Sequence, residues 1–420
     1  MRRDAVVIGA GVAGLSAARE LSAAGRDVLV LEARDRIGGR TWTVDLAGAP
    51  ADLGASWIHG PHENPLTAFL AEANIPWQPD GSWGLGLGVS LNGEWVAQHE
   101  ATAAAAAVYD WSPEESMAAL GAETDELSAA IEWYVSNRRL EGRTADVARG
   151  VLRRFVGSGA TGNEPEGISL GSFTAYVEHG GGNGVVEGGY RKLVQWLAQG
   201  LDIRTDSAVT DIEYDDAGVT VRTTDLEIAA DVAVLAVPLG VLKAGVIQLH
   251  PALPARHEEA IRRLALSSLE KVVMRFEAPV LPPGMKTLLS LGDDHPFIGF
   301  HDMSRHADAC MLVGFLNPTL ANRDRPADGW TKTALELLRA HFTDVPEPVA
   351  TVCTDWAADS WSRGSYSFIP VGASADDMDA LASPFSSSLA IAGEHTSSRY
   401  YGTVHGAFVS GRREAARMLR

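Results

Sequence analysis

The stretch Asp4–Glu32 constrains the fold of this 420-residue chain more than any other. It reads DAVVIGAGVAGLSAARELSAAGRDVLVLE: an apolar run, a glycine-rich turn, a helical pattern, and a second apolar run that ends in an acid. In such a unit Gly9 makes the turn, Gly11 lets backbone N–H groups approach a pyrophosphate, and Gly14 lets the helix pack on the strand. Glu32 would accept hydrogen bonds from ribose hydroxyls, and the helix N-terminus would bind phosphate. The stretch therefore predicts a dinucleotide site, with a glycine-rich turn that binds nothing as the alternative.

The run after this acid bears on which dinucleotide binds. It reads ARDRIGGRT, and its glycine pair and arginines would bring further N–H donors and a guanidinium near the pyrophosphate. The residues expected to contribute are Ala33, Arg34, Gly39 and Arg40. A nicotinamide-binding domain does not need this run, although such a domain with an arginine-rich loop remains the alternative.

The segments GAGVAGLSAA and LEARDRIGGRTWT together resemble the FAD-binding start of the flavin-containing amine oxidase superfamily, which includes monoamine oxidases, polyamine oxidases and lysine-specific histone demethylases. Further segments resemble the same family in the same order, namely ADLGASWIHGP, LEKVVMRF, TDWAADSWSRGSYSF, LAIAGEHT and YYGTVHGA. The resemblance is greatest to polyamine oxidases of the spermine and spermidine type. It implies that the cofactor is FAD.

The resemblance also implies an α/β fold, in which a Rossmann-like FAD-binding lobe of the glutathione reductase and amine oxidase type is interwoven with a mixed α+β substrate lobe. We expect residues 1–78, 184–265 and 386–420 in the FAD-binding lobe, and residues 79–183 and 266–385 in the substrate lobe. A chain of this length is long for one domain. Its local patterns predict a hairpin over 81–93 that carries Trp83, helices over 64–73, 144–155, 191–199 and 330–341, and a strand over 231–237.

Composition limits the partners and the compartment. The formal net charge is −19, from 54 acids and 35 bases, which argues against nucleic acid and would favour cationic amines slightly. No apolar run reaches about 18 residues, so no membrane partner is expected. The two cysteines, Cys310 and Cys353, lie in apolar runs, which indicates buried thiols. Because the first strand leaves no room for a signal peptide, we predict a cytoplasmic protein. The histidines and cysteines do not have the spacing of metal ligands, so no metal site is expected.

The resemblance assigns further positions to the flavin. The strand that contains Val209 would pair with the adenine, Gly393-Glu394 would close on the ribityl chain, and Thr403 and Val404 would approach the pyrimidine edge. The other expected contacts are Gly54, Ala55, Ser56, Trp57, Pro238, Trp356 and Trp361.

Lys271 is the first candidate for catalysis. It lies in the apolar run LEKVVMRF, where burial of a lysine costs free energy unless a partner is present. The resemblance places a lysine at this point, hydrogen-bonded through a water to the reactive nitrogen of the flavin. The alternative is a lysine at a strand end that reaches solvent.

The segment TDWAADSWSRGSYSF would supply part of an aromatic cage. By resemblance, Tyr366 orients the amine through cation–π or lone-pair contact, with plain core filling as the alternative. Monoamine oxidases have a second tyrosine where this chain has Thr403, so the cage is half-built, as it is in mammalian-type polyamine oxidases and histone demethylases. Ser365 stands where monoamine oxidases carry the cysteine of a covalent flavin bond. Non-covalent FAD is therefore expected.

The remaining candidates concern the substrate. His59 in SWIHG matches a histidine that polyamine oxidases hold above the flavin, although a lone histidine is more often structural. The distal ammonium groups of a polyamine need carboxylates, and the candidates are Glu178, Asp355 and Asp359, although acids on surface loops are usually solvated. No arginine lies within residues 52–61, which counts against amino acid substrates.

These observations predict an FAD-dependent polyamine oxidase. Hydride transfer from the amine to the flavin would give an imine, and O2 would be reduced to H2O2. The alternatives are an oxidase of another amine, such as a diamine, an aromatic amine or an amino acid, and a flavin-binding protein without turnover.

Overall fold

The computed structural model describes residues 1–80, 86–292, 296–321 and 329–420. The strands, in chain order, are β1 Arg2–Ile8, β2 Val28–Leu31, β3 Thr43–Leu46, β4 Ala49–Asp52, β5 Ile58–His59, β6 Trp77–Pro79, β7 Leu87–Leu91, β8 Glu94–Trp95, β9 Asn183–Val186, β10 Asp202–Arg204, β11 Val209–Asp215, β12 Gly218–Thr223, β13 Glu227–Leu235, β14 Gln248–His250, β15 Ala265–Leu266, β16 Lys271–Arg275, β17 Thr287–Leu291, β18 Phe297–Asp302, β19 Met311–Leu316, β20 Ala350–Cys353, β21 Ser367–Phe368 and β22 Leu389–Ile391.

The helices are α1 Val12–Ala23, α2 Pro65–Glu72, α3 Gln98–Asp110, α4 Pro113–Leu120, α5 Leu127–Asn137, α6 Gly142–Leu152, α7 Gly171–Ala175, α8 Arg191–Ala198, α9 Leu239–Ala244, α10 Ala255–Arg263, α11 Ser304–Ala307, α12 Pro318–Ala321, α13 Thr331–His341, α14 Ala375–Ala382 and α15 Val404–Met418. A π-helical segment, Arg153–Gly159, follows α6 directly. None of the described helices has the length and apolarity needed to cross a bilayer.

The first sheet is organised around β1, which lies between β2 and β13 and is parallel to both. Its strand order is β10-β2-β1-β13-β12-β11-β14, and β22 adds in parallel beside β13. Ile8 at the end of β1 is opposite Leu31 at the end of β2. The glycine turn after β1 and the acid after β2 therefore meet at the same edge of the sheet.

The two ends of the chain pack against each other on this sheet. Helix α15 lies on α1, where the Ser16 hydroxyl donates to the Phe408 carbonyl at 3.0 Å. Leu15, Leu21 and Phe408 are almost fully buried in the core that these helices share with β1 and α8. The last helix therefore packs in the same core as the glycine-turn segment at the start of the chain.

A second sheet, in the order β20-β16-β19-β18-β17-β7-β8, forms the other lobe. Its pairs are antiparallel except that β7 and β17 run in parallel. Val272 and Met274 of β16 are fully buried against helix α13, whereas Lys271 and Val273 alternate to the opposite face. This alternation directs the lysine away from α13.

The predicted α/β class with two interleaved lobes is confirmed, and several boundaries differ from expectation. The first sheet draws its strands from residues 2–31, 202–250 and 389–391, and the second from residues 87–95 and 271–353. Strand β13 begins four residues earlier than predicted, because its polar start pairs with β12. The helix predicted over 144–155 ends at residue 152, before the π-helical segment. The hairpin is present as β7–β8, and Trp83 lies outside the described residues.

Candidate active site

The glycine turn and its acid form one hydrogen-bonded unit. The Gly9 amide donates to the Leu31 carbonyl at 2.7 Å, and the Ala10 amide donates to Glu32 Oε2 at 2.7 Å. Glu32 is 5% exposed, and its other oxygen accepts from the Arg34 amide at 3.0 Å. These bonds fix the carboxylate beside the turn, where the prediction places the ribose.

The space beside this turn fits a pyrophosphate. Helix α1 starts after Gly11 with no capping side chain and no acid in its first turn, so its N-terminal dipole faces an open position. A Cβ on Gly11 would meet nothing within 4 Å, and one on Gly39 would meet only the Gly11 Cα, at 3.4 Å. In contrast, a Cβ on Gly14 would lie 1.9 Å from the Gly9 carbonyl oxygen. Gly14 therefore allows the helix to approach the turn, while Gly11 and Gly39 leave room for an anion.

Asp359 is not placed as predicted. Its carboxylate binds the guanidinium of Arg34 through two hydrogen bonds of 2.6 Å, and the same guanidinium donates to Ser362 at 2.8 Å. A bidentate ion pair neutralises the acid and holds it against the nucleotide-binding segment. We therefore correct the assignment of Asp359 as a site for a distal ammonium: it anchors the 354–362 segment to the cofactor lobe.

The other two substrate candidates differ from each other. Asp355 accepts from the Ala358 amide at 3.2 Å and so stabilises its own turn. Glu178 is exposed, and with the described part of the chain its carboxylate makes neither a hydrogen bond nor an ion pair. Its charge acts on His59 and Tyr176. Of the three candidates, Glu178 is thus the acid best placed to meet a cationic ligand.

Lys271 lies at the meeting point of the two lobes. Its side chain is 5% exposed, which excludes the alternative of a solvent-facing strand end. Nζ donates to the Asp52 carbonyl at 3.2 Å, to the Gly54 carbonyl and to Ser56 Oγ at 2.7 Å. The ring centres of Trp57 and Phe315 lie 5.8 and 5.7 Å from Nζ. The β16 lysine is therefore held against the ADLGASW turn of the cofactor lobe.

Burial sets the electrostatics of this centre. Burial lowers the pKa of Lys271 to about 8, although the charge of Asp52 opposes the shift. Burial also raises the pKa of Asp52 to about 6, against the effect of its hydrogen bond from Thr43 and of the Lys271 charge. The two groups lie in one poorly solvated region, where the charge of each depends on the other.

Trp356 is fixed next to the same turn. Its indole N–H donates to the Leu53 carbonyl at 3.4 Å, and its ring lies beside Gly54. The buried Glu270 holds this segment, because its carboxylate accepts from Thr354 Oγ1 at 2.5 Å and from the Ala357 amide at 3.1 Å. Trp361 is 36% exposed, so its predicted position along the flavin leaves much of its ring uncovered by protein.

Tyr366 lies beside the turn that precedes Thr403, and the aromatic cage stays a prediction. The Tyr366 ring lies beside Gly402, its hydroxyl donates to the Ala160 carbonyl at 3.3 Å, and burial raises its pKa. Thr403 caps α15, since its hydroxyl accepts from the Gly406 amide at 2.9 Å and donates to the Tyr400 carbonyl at 2.7 Å. The threonine hydroxyl is therefore committed to the cap, and any contact with the flavin falls to its backbone and methyl group.

Glu394 joins the two walls of the site. Its carboxylate accepts from Arg40 at 2.9 Å, from Ser367 Oγ at 2.5 Å and from the Gly402 amide at 2.8 Å. Burial raises the pKa of Glu394, but the charge of Arg40 and these hydrogen-bond donors outweigh that effect and hold the pKa below its usual value. Because its oxygens are occupied by protein donors, contact with a ribityl chain would fall to the backbone of residues 393–394.

The next residue, His395, is fully buried, and neither ring nitrogen has a hydrogen-bond partner among the described residues. Burial lowers its pKa to about 4, so the ring is neutral. Buried polar groups without partners are rare in proteins, and they mark places for water or a bound molecule. This orphaned imidazole, next to the Gly393 backbone, fits a site that is completed by a cofactor.

His59 lies in a recess. Solvent reaches the ring, but the surrounding protein desolvates it and lowers its pKa. Nδ1–H donates a hydrogen bond to Asn183 Oδ1 at 2.9 Å, so the neutral ring keeps the lone pair of Nε2 available. The ring is therefore a neutral acceptor at the mouth of the site.

The remaining predicted cofactor residues border the first turn or the last helix. Val209 follows residues 206–207, whose amides donate to the Arg34 and Glu32 carbonyls. Pro238 follows the end of β13, next to the Ala236 carbonyl that approaches Gly9. The backbone amide of Ala55 donates to the Arg40 carbonyl at 3.1 Å, Ala33 lies between Glu32 and Arg34, and Val404 opens α15.

The comparisons with known proteins agree with this geometry. The family described as flavin containing amine oxidoreductase matches residues 12–86 and 90–419. The chain belongs to this amine oxidoreductase family. The predicted family is thereby confirmed. The family implies a flavin cofactor, and its members act on donors with a CH–NH group.

Relatives in the family include two plant polyamine oxidases. The chain is 34% identical over 430 residues to polyamine oxidase 3 of Oryza sativa subsp. japonica, covering 97% of this chain and 87% of that protein. It is also 34% identical over 428 residues to polyamine oxidase 2 of Arabidopsis thaliana, covering 97% and 86%. Lysine-specific histone demethylase 1 homolog 1 of Arabidopsis thaliana is 32% identical over 460 residues. The alignment covers 99% of this chain but only 52% of that demethylase, so this chain spans about half of its length.

Solved structures of putrescine oxidase share the fold. The wild type bound to putrescine is similar with a TM-score of 0.82 and 22% identity, covering 100% of this chain and 99% of that one. This likeness confirms the fold class that the sequence predicts.

Sequence reasoning missed two acids of this amine oxidoreductase. The Asp52 backbone carbonyl accepts from Lys271. Its partly buried carboxylate accepts from the Thr43 hydroxyl and, at 3.2 Å, from the Tyr190 amide. Asp80 is buried and accepts from the Trp57 indole at 3.2 Å. The signal for Asp52 is an acid at the end of a short strand, two residues before Gly54 of the ADLGASW segment. Asp80 carries no local signal, because its partners come from distant segments.

In the described residues, no cluster of three histidines, cysteines or acids is arranged to hold a metal ion.

Proposed function

We propose that this chain is a polyamine oxidase that holds FAD non-covalently and uses O2 as the acceptor. The observation that carries the proposal is the buried Lys271, held against the ADLGASW turn on one side of the site, with Tyr366 beside the Gly402–Thr403 turn. The plant polyamine oxidases at 34% identity support the same substrate class.

Each residue has a role that follows from its environment. Bound FAD would accept a hydride from the carbon next to the amine nitrogen, and O2 would take up the electrons as H2O2. The neutral His59 accepts the proton that a substrate ammonium must lose before oxidation, through its free Nε2. The Tyr366 ring orients the nitrogen. Lys271 places its ammonium next to the reacting atoms, and it can donate a hydrogen bond or a proton there when it releases one of its three acceptors, such as Ser56 Oγ.

The positions of Ser365 and Cys353 argue against a covalent bond between the flavin and a cysteine. Ser365 stands at the position expected for a flavin-linked cysteine, and its hydroxyl donates to the Leu269 carbonyl at 3.0 Å. Cys353 is paired with Val272, one residue from Lys271, but cross-strand partners share a face and neighbours alternate. The thiol therefore lies on the α13 side, where it contacts Thr331 at 3.8 Å. Acid precipitation of the purified protein should release all of its FAD into the supernatant.

A polyamine is favoured over a methylated histone tail. The family resemblance implies a long helical-hairpin insertion in the histone demethylases, and in residues 86–292 of this chain the helices are at most 13 residues long. The acidic chain and the unpaired Glu178 favour a cationic substrate of either kind, so the preference for a polyamine rests on the helix lengths.

A substrate panel tests the proposal. Purified holoprotein is mixed anaerobically with spermine, spermidine, putrescine, benzylamine or a dimethyl-lysine peptide, and flavin bleaching is followed. Peroxide release is then measured in air, with Lys271→Met as the matched control. We expect the fastest bleaching with spermine or spermidine. Faster bleaching by benzylamine or by the peptide would overturn the polyamine assignment, and absence of bleaching with every amine would overturn the oxidase.

A further inference from the structure

A small cavity adjoins the acid and the serine that bind Lys271. Its volume is about 20 Å³, and its polar lining consists of Asp52, Ser56 and His306 among apolar residues such as Val185 and Val273. That volume holds one water molecule. A buried water needs at least two polar partners, and this cavity offers three.

His306 gives the cavity an independent reason to be hydrated. Its Nε2 is 2.9 Å from Asp80 Oδ1, so this nitrogen donates and Nδ1 keeps a lone pair. Nδ1 is buried and has no hydrogen-bond partner among the described residues. Asp80 in turn accepts from the Trp57 indole and lies 3.5 Å from His301 Nε2. Water in the cavity would satisfy Nδ1 and connect this cluster to Asp52 and Ser56.

We infer that Asp52 is a positioning residue that stabilises the ammonium form of Lys271 and is linked to His306 by a water in the cavity. The carbonyl of Asp52 accepts from Nζ at 3.2 Å, and Asp52 lines the same small cavity as Ser56, whose hydroxyl accepts from Nζ at 2.7 Å. The Asp52 carboxylate, held by the Tyr190 amide, is therefore placed to balance the charge of the ammonium. The inference concerns the reactive site of the proposed function, but it can be tested without turnover.

The other charged and titratable groups around this pair are few. Arg191 acts on the Asp52 carboxylate from α8, and Thr43 and the Tyr190 amide hydrogen-bond to it. Glu270 precedes Lys271, but its carboxylate is bound to Thr354 and to the Ala357 amide. Asp52 is therefore the only acid that acts on the charge of Lys271 in the described structure.

Lysine NMR measures this charge directly. The chain has only five lysines, at positions 192, 243, 271, 286 and 332, so protein labelled with [ε-13C]lysine gives a simple spectrum. The Lys271 signal is the one missing from Lys271→Met. Its titration is followed from pH 5 to 11, in the protein with and without FAD, for wild type and Asp52→Asn. Asp45→Asn is the control, because Asp45 lies in the same hairpin but is exposed.

We expect Asp52→Asn to lower the Lys271 midpoint by about one pH unit or more, since the ammonium loses its nearby negative charge. Asp45→Asn should leave the midpoint unchanged. In wild type the Lys271 signal should also show a smaller step near the titration of Asp52, which provides a test even if the variant does not fold. An unchanged midpoint in Asp52→Asn, or no such step in wild type, would overturn the inference. A crystal structure without water in the cavity would remove the link to His306.

These outcomes are separate from those of the proposed function. A protein that oxidises no amine could still show the shifted lysine, and an active oxidase could lack it.

Discussion

Two regions of the molecule are built in opposite ways. We call Gly9–Gly14 with Glu32 the nucleotide turn, and Lys271 with Asp52, Gly54 and Ser56 the lysine centre. Ala10 and Glu32, which close the turn, are 22 residues apart in sequence. The three acceptors of Lys271 lie 215 to 219 residues before it. The turn is a local unit of one strand-helix-strand segment, whereas the lysine centre forms only when the two lobes meet. The predicted dinucleotide site is therefore formed within one local segment, whereas the environment of Lys271 requires assembly of the two lobes.

The two regions also depend on different forces. The turn presents backbone N–H groups and a helix dipole, and it depends on glycines that leave space or allow close packing. The lysine centre depends on burying a cation and an acid together, which makes it sensitive to pH. Substitutions can therefore damage one region and leave the other intact.

The largest expected effect separates two glycines of the same turn. Gly14→Ala forces a Cβ against the Gly9 carbonyl, so we expect the free energy of unfolding to fall by about 3 kcal/mol or more. Gly11→Ala adds its Cβ to open space, so the apoprotein should unfold within about 0.5 kcal/mol of wild type but bind FAD at least about tenfold more weakly. Urea unfolding of the apoproteins and flavin fluorescence titration give the two quantities. If Gly11→Ala bound FAD as tightly as wild type, the space beside Gly11 would not hold the phosphates.

The lysine centre should show its burial in the pH dependence of stability. The pKa of Lys271 is about 8 in the folded protein and about 10.5 when unfolded, so the unfolded chain binds more protons between these values. Stability should therefore rise with pH in this interval, by up to about 3 kcal/mol relative to Lys271→Met. Urea unfolding of both apoproteins from pH 7 to 10.5 measures the difference. A constant difference would mean that the lysine is not desolvated.

This contrast explains what could be predicted from the sequence. The turn, its acid, the lobe order and the strand bearing Lys271 follow from local patterns and from family resemblance. The pairing of Asp359 with Arg34 could not be predicted, because 325 residues separate them and an acid in a loop is usually solvated. The same distance problem hid Asp52 and Asp80, since their roles depend on which side chains the fold places next to them.

The chemistry of the lysine centre is tested by kinetics. Lys271→Met removes the hydrogen-bond donors without adding volume, so we expect flavin reduction by spermidine or reoxidation by O2 to slow at least about tenfold. Stopped-flow absorbance resolves the two half-reactions, and the Gly11→Ala protein, saturated with FAD, is the comparison from the other region. If both half-reactions keep their rates, Lys271 has no part in the mechanism.

The smallest expected effect distinguishes two acids that the sequence treats alike. Glu178 is exposed and unpaired near His59, so Glu178→Gln should raise the KM for spermidine about fivefold, with kcat and the free energy of unfolding nearly unchanged. Asp359 is bound by Arg34, so Asp359→Asn should leave the KM unchanged but weaken FAD binding and lower stability by about 1 kcal/mol. Steady-state kinetics, FAD titration and urea unfolding of both variants separate the cases. If Asp359→Asn raised the KM instead, its carboxylate would face the substrate and the Arg34 pair would be incidental.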